Sequence, residues 1–359
     1  MAEALATPDS LGMAIQREDI LQWAQEQISK ITANRHMSSV DKAQAVMAYV
    51  DGIADPELKG QAGKVTTALI DGAEIPQLDL RWVRDFEATR EKSNDLVQAG
   101  DFSQALKNQQ EAIDKLDQHF AYEGIVPRYF NSYADRVIYN HMFALPDEKT
   151  VLIPDELFMA HYRIADVLFT MGKPKEAVKH LNKAVFYAPS YTMVHLRQAV
   201  GLALIEDWDS AFAATLNAVN IAQDSSDAAF GYYRMAYAAW MRDEFDVAAA
   251  AYIMSSDISR SRSFNLQVEL DELMDRARSQ DLILPHNEQE ARKVLEEHDI
   301  PIWPNPQVQQ IVNQAARICV NNRLFVPAKT LLISSARMAS AEEYSMKARR
   351  IQVLRSLNA

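Results

Sequence analysis

Small residues return at a fixed interval through the middle of this chain. Ala165, Ala177 and Ala184 are followed by Ala199, Ala211 and Ala218, each 34 positions on (199−165, 211−177, 218−184), and Leu168 is followed by Leu202 at the same step. A third copy carries Ala236, Ala239, Phe245 and Ala248. Its offset from the second is 37 (248−211), which puts three added residues in the loop at 223–227. A period of this size means that each unit is one supersecondary element, unable to bury its apolar face alone and stacked on its neighbours. Alanine at the recurring places lets paired backbones come close.

The content of one period says what the element is. Residues 156–190 read as two helices separated at Met171-Gly172-Lys173-Pro174. Gly172 suits the left-handed end of the first helix and Pro174 the first turn of the second, and Pro189 ends the pair. In the next copy Asp207-Trp208 takes the turn, with Trp208 in the large apolar position after it.

The set Ala165, Leu168, Gly172, Ala177, Leu181, Ala184 and Pro189 at this period resembles the tetratricopeptide repeat. The match is good for this unit and the next and fair for the third. Two weaker copies flank them: residues 86–116, with Gly100-Asp101-Phe102, Ala105 and Ala112, and residues 309–338, with Ala316, Leu324-Phe325, Ala328 and Ser335. The resemblance implies an all-α fold, a right-handed α-solenoid of tetratricopeptide-like helix pairs, with a helical N-terminal cap and a C-terminal capping helix.

The remaining segments give the expected boundaries. Residues 1–84 form the cap, with helices at 18–32, 40–50 and 57–70; Asp55 caps the last of these and Pro56 opens it. A repeat-like unit follows at 85–118, and an aromatic-rich insert at 119–155 holds Tyr122, Tyr129, Phe130, Tyr133, Tyr139 and Phe143. One helix is expected in that insert near 132–143, between Pro127 and Pro146. Three repeats fill 156–262. A second insert, 263–306, carries a helix through Leu266, Leu270, Leu273 and Ala277. It continues with a helix capped by Asn287 with Glu290 three positions later, and it ends in the stiff run Pro301-Ile302-Trp303-Pro304-Asn305-Pro306. The last repeat and the closing helix occupy 307–359.

Composition narrows the function. The apolar fraction is 48%, enough for an extended core and too high for disorder, and only 10 of 359 residues are Gly, which favours helices. A net charge of −12 repels phosphate backbones, so no nucleic acid is expected as partner. The single cysteine, Cys319, precludes an internal disulfide and a Cys-based zinc site. No stretch has the length and apolarity of a membrane span, and residues 1–10 lack a leader pattern, so a cytoplasmic protein without membrane attachment is expected.

Catalytic signatures are missing as well. There is no Gly-rich phosphate loop, no His-Glu-x-x-His helix and no Gly-x-Ser-x-Gly elbow. Cys319, between Ile318 and Val320, reads as packing. Glu296-Glu297 and Glu342-Glu343 read as solvated charge. His161 and His195 stand 34 apart (195−161), at one position in neighbouring repeats, with Tyr232 in the related place; that position fills the gap between paired helices. No enzyme activity, cofactor or metal is expected.

In the family that this chain resembles, the first helix of each unit lines the concave face. Alignment then points inward Met159, Tyr162, Asp166 and Phe169; Met193, Leu196, Val200 and Leu204; and Phe230, Tyr233, Tyr237 and Trp240. Met159, Tyr162, Phe169, Met193, Leu196, Phe230, Tyr233, Tyr237 and Trp240 are the candidate partner-binding residues. Aromatic and Met side chains offer large, adaptable contact area. The expected function is a scaffold for protein–protein interaction, holding a peptide or a helical segment of another protein in this apolar groove. Two other readings stay open: that either insert covers the groove, and that the chain is a peptide-responsive regulator with residues 18–70 as its effector part. The carboxylate-clamping subclass of the family uses Lys, Asn and Arg along the groove, and only Arg90 and Asn94 of the weak first copy come near it.

Overall fold

The computed structural model describes residues 15–53, 55–78, 81–259, 264–339 and 341–357. The first ten residues, read above as lacking a leader pattern, lie outside them. Along the chain run α1 (Arg17–Ala33), α2 (Ser39–Ile53), α3 (Pro56–Asp71), α4 (Arg81–Gln98), α5 (Phe102–His119), β1 (Ile125–Arg128), α6 (Tyr133–Met142), β2 (Lys149–Leu152) and α7 (Asp155–Thr170). They are followed by α8 (Pro174–Tyr187), α9 (Thr192–Leu204), α10 (Trp208–Ile221), α11 (Ser225–Met241) and α12 (Phe245–Ser259). The order closes with α13 (Phe264–Ser279), α14 (Glu288–Glu297), α15 (Pro306–Asn321), α16 (Phe325–Arg337) and α17 (Ala341–Leu357).

Local chemistry accounts for most of these bounds. The Asp55 carboxylate accepts from the Leu58 N–H at 3.0 Å, with Pro56 at the first position of α3. Ser132 caps α6 by accepting from the Asp135 N–H at 3.1 Å, and Asn287 caps α14 by accepting from the Glu290 N–H at 3.0 Å. The turns inside the helix pairs share one geometry. Gly100, Gly172, Glu206, Asp243 and Arg323 all have positive φ. The residue after each donates its N–H to a carbonyl five residues back: Asp101 to Leu96, Lys173 to Leu168, Asp207 to Leu202, Glu244 to Ala239 and Leu324 to Cys319, at 2.8–3.1 Å. This is the hydrogen-bonded helix end that a left-handed residue makes possible. From Gly172 to Glu206 is 34 residues and from Glu206 to Asp243 is 37 (206−172, 243−206), the same steps as the alanines.

Packing repeats with the turns. Ala165 and Ala177, Ala199 and Ala211, Ala236 and Ala248, and Ala316 and Ala328 are 12 apart within each pair (177−165, 211−199, 248−236, 328−316), and all are at most 1% exposed. In the first, weaker copy Ser93 and Ala105 hold these places, at 0% and 2%. Close approach is taken furthest at Gly201 and Gly231, where an added Cβ would lie 2.8 Å from the ring of Phe169 and 2.8 Å from the side chain of Val219. The described residues are therefore mostly helical, and the repeating element is a helix pair with one turn geometry and one set of small buried side chains.

The chain divides into two compact units, residues 1–130 with 144–164, and residues 131–143 with 165–359. In the first, α2 packs on α3 and α4 on α5. Arg17 is buried there. Its guanidinium pairs with Asp55 and Glu57, donates to the Leu152 carbonyl at 3.1 Å and lies 5.1 Å from the Phe120 ring centroid. Here the structure adds what periodicity does not show: β1 and β2 pair in parallel, Ile125 opposite Lys149 through Arg128 opposite Leu152. A parallel pair needs a crossover, and α6 is that crossover. In the second unit consecutive helices from α8 to α12 pack on one another, α12 also packs on α13 and α14, α15 on α16 and α16 on α17, and α6 seats against α15 and α16.

Candidate functional site

In the second unit the predicted groove residues fall on α9, α11 and the end of α7. Phe230 is 41% exposed and Leu204 58%, whereas Phe169, Met193, Val200, Tyr233, Tyr237 and Trp240 are half-buried. Leu196 departs from the expectation. It is 1% exposed and lies 3.5 Å from the position of a Cβ on Gly231, so it fills the contact between α9 and α11 beneath the surface.

The rings form a row of two contact sets, both centred on α11. Trp208, the large residue after the second turn, meets Tyr237 edge-on at 5.7 Å between centroids, and Tyr237 meets Trp240 at 6.5 Å. Phe230 lies 6.3 Å from Tyr233, and Tyr233 lies 6.0 Å from Tyr252. Edge-on geometry sets the positive rim of one ring against the negative face of the next. Two guanidiniums lie over the rings: Arg234 is 5.8 Å from the centroid of Tyr237, and Arg197, paired with Asp166, is 5.1 Å from that of Phe169.

Part of the row is covered by the chain itself. Glu269 of α13 accepts from the Tyr233 hydroxyl at 2.8 Å and from the Tyr252 hydroxyl at 2.7 Å. Burial, reinforced by this carboxylate, pushes the Tyr233 phenol up to about 12 and raises that of Tyr252 further. The proline-rich run also docks. Tyr232 donates to the Pro301 carbonyl at 2.5 Å and accepts from the Trp303 N–H at 3.1 Å, and Asn305 donates to the Asn220 carbonyl at 2.8 Å. It is anchored on Tyr232, which is fully buried, and Tyr237 and Trp240 stay half-exposed.

In the first unit Met159 and Tyr162 sit on the opening turns of α7. Tyr162 lies 6.3 Å from Phe158, which stacks on Tyr129 at 4.0 Å. Met159 lines a cavity of about 490 Å³, bounded by residues of α4, α5 and α7. Sequence reasoning singled out Arg90 and Asn94 on its wall and missed Arg163, Asp155 and Glu156, which α7 brings to the same space.

The histidines at the repeating position are both engaged. His161 Nε2 lies 3.1 Å from Asp117 Oδ1, and His195 Nε2 lies 2.8 Å from the Pro189 carbonyl, with burial lowering the His195 pKa. Cys319 is 2% exposed, and burial pushes its thiol up to about 11. Among the described residues no group of three His, Cys, Asp or Glu side chains is placed to hold a metal ion, and no helix is long and apolar enough to cross a membrane.

No protein-family model matches the sequence, and no curated protein matches it. Among solved structures the chain is similar to pilF of Pseudomonas aeruginosa, at 14% identity over 76% of this chain and 100% of that chain, with a TM-score of 0.36. It is also similar to a tetratricopeptide repeat protein from Parabacteroides merdae, at 13% identity over 76% of this chain and 99% of that chain, with a TM-score of 0.28.

Proposed function

We propose that this chain is a protein-interaction scaffold that holds a segment of another polypeptide along the aromatic row of α11 and the adjoining α9. The observation that carries the reading is the row itself: Phe230, Tyr237 and Trp240 on α11, and Leu204 on α9, keep apolar surface in solvent. Large, rigid aromatic side chains in a pocketed surface are the usual anchors of a bound chain. The flanking Arg234, over the Tyr237 ring, adds a cation that suits a segment carrying an acidic residue at its edge.

The test uses Trp240→Ala and Tyr237→Ala. A partner first captured by the wild-type protein in its native cell and identified by mass spectrometry is then titrated, purified, against each variant. Binding weakens by about ten-fold or more, the range for an interface anchor, while helical content by circular dichroism stays unchanged. Unaltered affinity in both variants removes the groove assignment.

A second reading, a peptide-responsive regulator, draws on the division into two compact units, with α1–α3 in the first as the effector part. A change in scattering radius on adding the bound segment supports it; an unchanged radius argues against it.

A further inference from the structure

The cavity of the first unit has a composition that the aromatic row does not share. Its wall holds two guanidiniums, Arg90 and Arg163, with Asn94, Gln109 and Thr89 as neutral polar groups. It also holds two carboxylates, Asp155 and Glu156, and the apolar residues Ala112, Ile113, Met159 and Ala160 complete the lining. At about 490 Å³ it falls within the roughly 300–1,000 Å³ of small-molecule sites.

Charges of both signs that share a small space ordinarily pair. Here no ion pair or side-chain hydrogen bond joins Arg90 or Arg163 to Asp155 or Glu156 among the described residues. One oxygen of Glu156, Oε2, is buried and accepts no hydrogen bond. A buried acceptor without a donor is destabilising. Like charge gathers at the same end. Glu18 of α1 stands near Asp155 and Glu156, and burial together with these neighbours raises the Asp155 carboxyl to about 6. An ammonium group beside these carboxylates supplies the missing donor and offsets the repulsion. A carboxylate beside the guanidiniums suits the planar, forked donors of arginine.

We infer that this cavity binds a free short peptide or amino acid as a zwitterion, its ammonium toward Asp155 and Glu156 and its carboxylate toward Arg90 and Arg163. The apolar part of the lining takes the side chain. This inference is independent of the aromatic-row reading, because every lining residue named belongs to the first unit, whereas Tyr237 and Trp240 belong to the second.

The test is calorimetric titration of the full chain with a panel of unblocked tripeptides bearing apolar, acidic or basic side chains, beside their N-acetylated and C-amidated forms. At least one unblocked tripeptide binds, and either block weakens it by about ten-fold or more. In Glu156→Gln the effect of N-acetylation shrinks; in Arg90→Gln the effect of C-amidation shrinks. If no unblocked tripeptide binds at millimolar concentration, or if only one of the two blocks matters, the zwitterion assignment is overturned. Trp240→Ala leaves this binding unchanged, which keeps the outcome separate from that of the aromatic row.

Discussion

The hydroxyl of Tyr233 and the hydroxyl of Tyr252, on two successive helices, both donate to the one carboxylate of Glu269, at 2.8 and 2.7 Å. A single acidic side chain on α13 thus ties α11 to α12 and closes one end of the aromatic row. Replacing it with alanine strips two hydroxyls of their acceptor at once. Glu269→Ala is expected to destabilise the chain by about 1–3 kcal/mol, the penalty for orphaned polar groups. The phenol of Tyr233 also ionises nearer its ordinary value in that variant, since the negative charge beside it is gone. Urea denaturation and a spectrophotometric tyrosine titration read the two effects; an unchanged denaturation midpoint counts against the tether.

The left-handed turn residues make a second prediction, with opposite signs at equivalent places. Gly172 has φ of 71° and Glu206 has φ of 61°, one repeat apart. An L side chain in this conformation costs on the order of 1 kcal/mol. Gly172→Ala should therefore lower stability by about that amount, although nothing lies within 4 Å of the added Cβ. Glu206→Gly should be neutral or stabilising, because it relieves the conformation while making the unfolded chain more flexible. Thermal denaturation of the two variants distinguishes them, and equal losses in both would refute the shared geometry.

Asp135 supplies the pH dependence. It is 3% exposed on α6, Oδ1 accepts from the Gln223 amide at 2.7 Å, and Oδ2 is buried with no hydrogen-bond partner. Burial pushes its carboxyl up to about 7, and the charge of Asp227 adds to the shift. A carboxyl raised on folding favours the folded state while it is protonated. Its contribution is therefore intact below about pH 4, the unfolded value, and is lost as pH rises to about 7, at up to about 1.4 kcal/mol per pH unit. Asp135→Asn removes this loss, so the variant gains on wild type steadily between pH 4 and pH 7. Denaturation midpoints of both proteins across that range test it; parallel pH profiles would show that Asp135 does not titrate there.

The stacking of the repeats was legible before any coordinates because it is periodic and local. Alanines at a fixed step, glycine or an acidic residue at the turn, and Asp or Asn before a helix act within a few residues of themselves, so Asp55 and Asn287 cap as their sequence context implies. The surface of the candidate site was legible only in part. Alignment put Tyr237, Trp240 and Leu196 in one set; the first two are half-buried, but Leu196 is buried against the next helix. Register alone does not distinguish a side chain that lines a surface from one that seals the contact below it.

What the amino-acid order determined by itself is the repeating helix pair, its turn and its caps, because these depend on backbone conformation and on neighbours a few positions away. The tertiary structure alone decided which distant groups meet. It paired β1 with β2 across 24 residues (149−125), seated α6 on α15 and α16, and placed Glu269 between two tyrosines. It also gathered Arg90, Arg163, Asp155 and Glu156 around one cavity. Such encounters follow from how whole helices stack, and the energy of each is a contact between residues that no local pattern links.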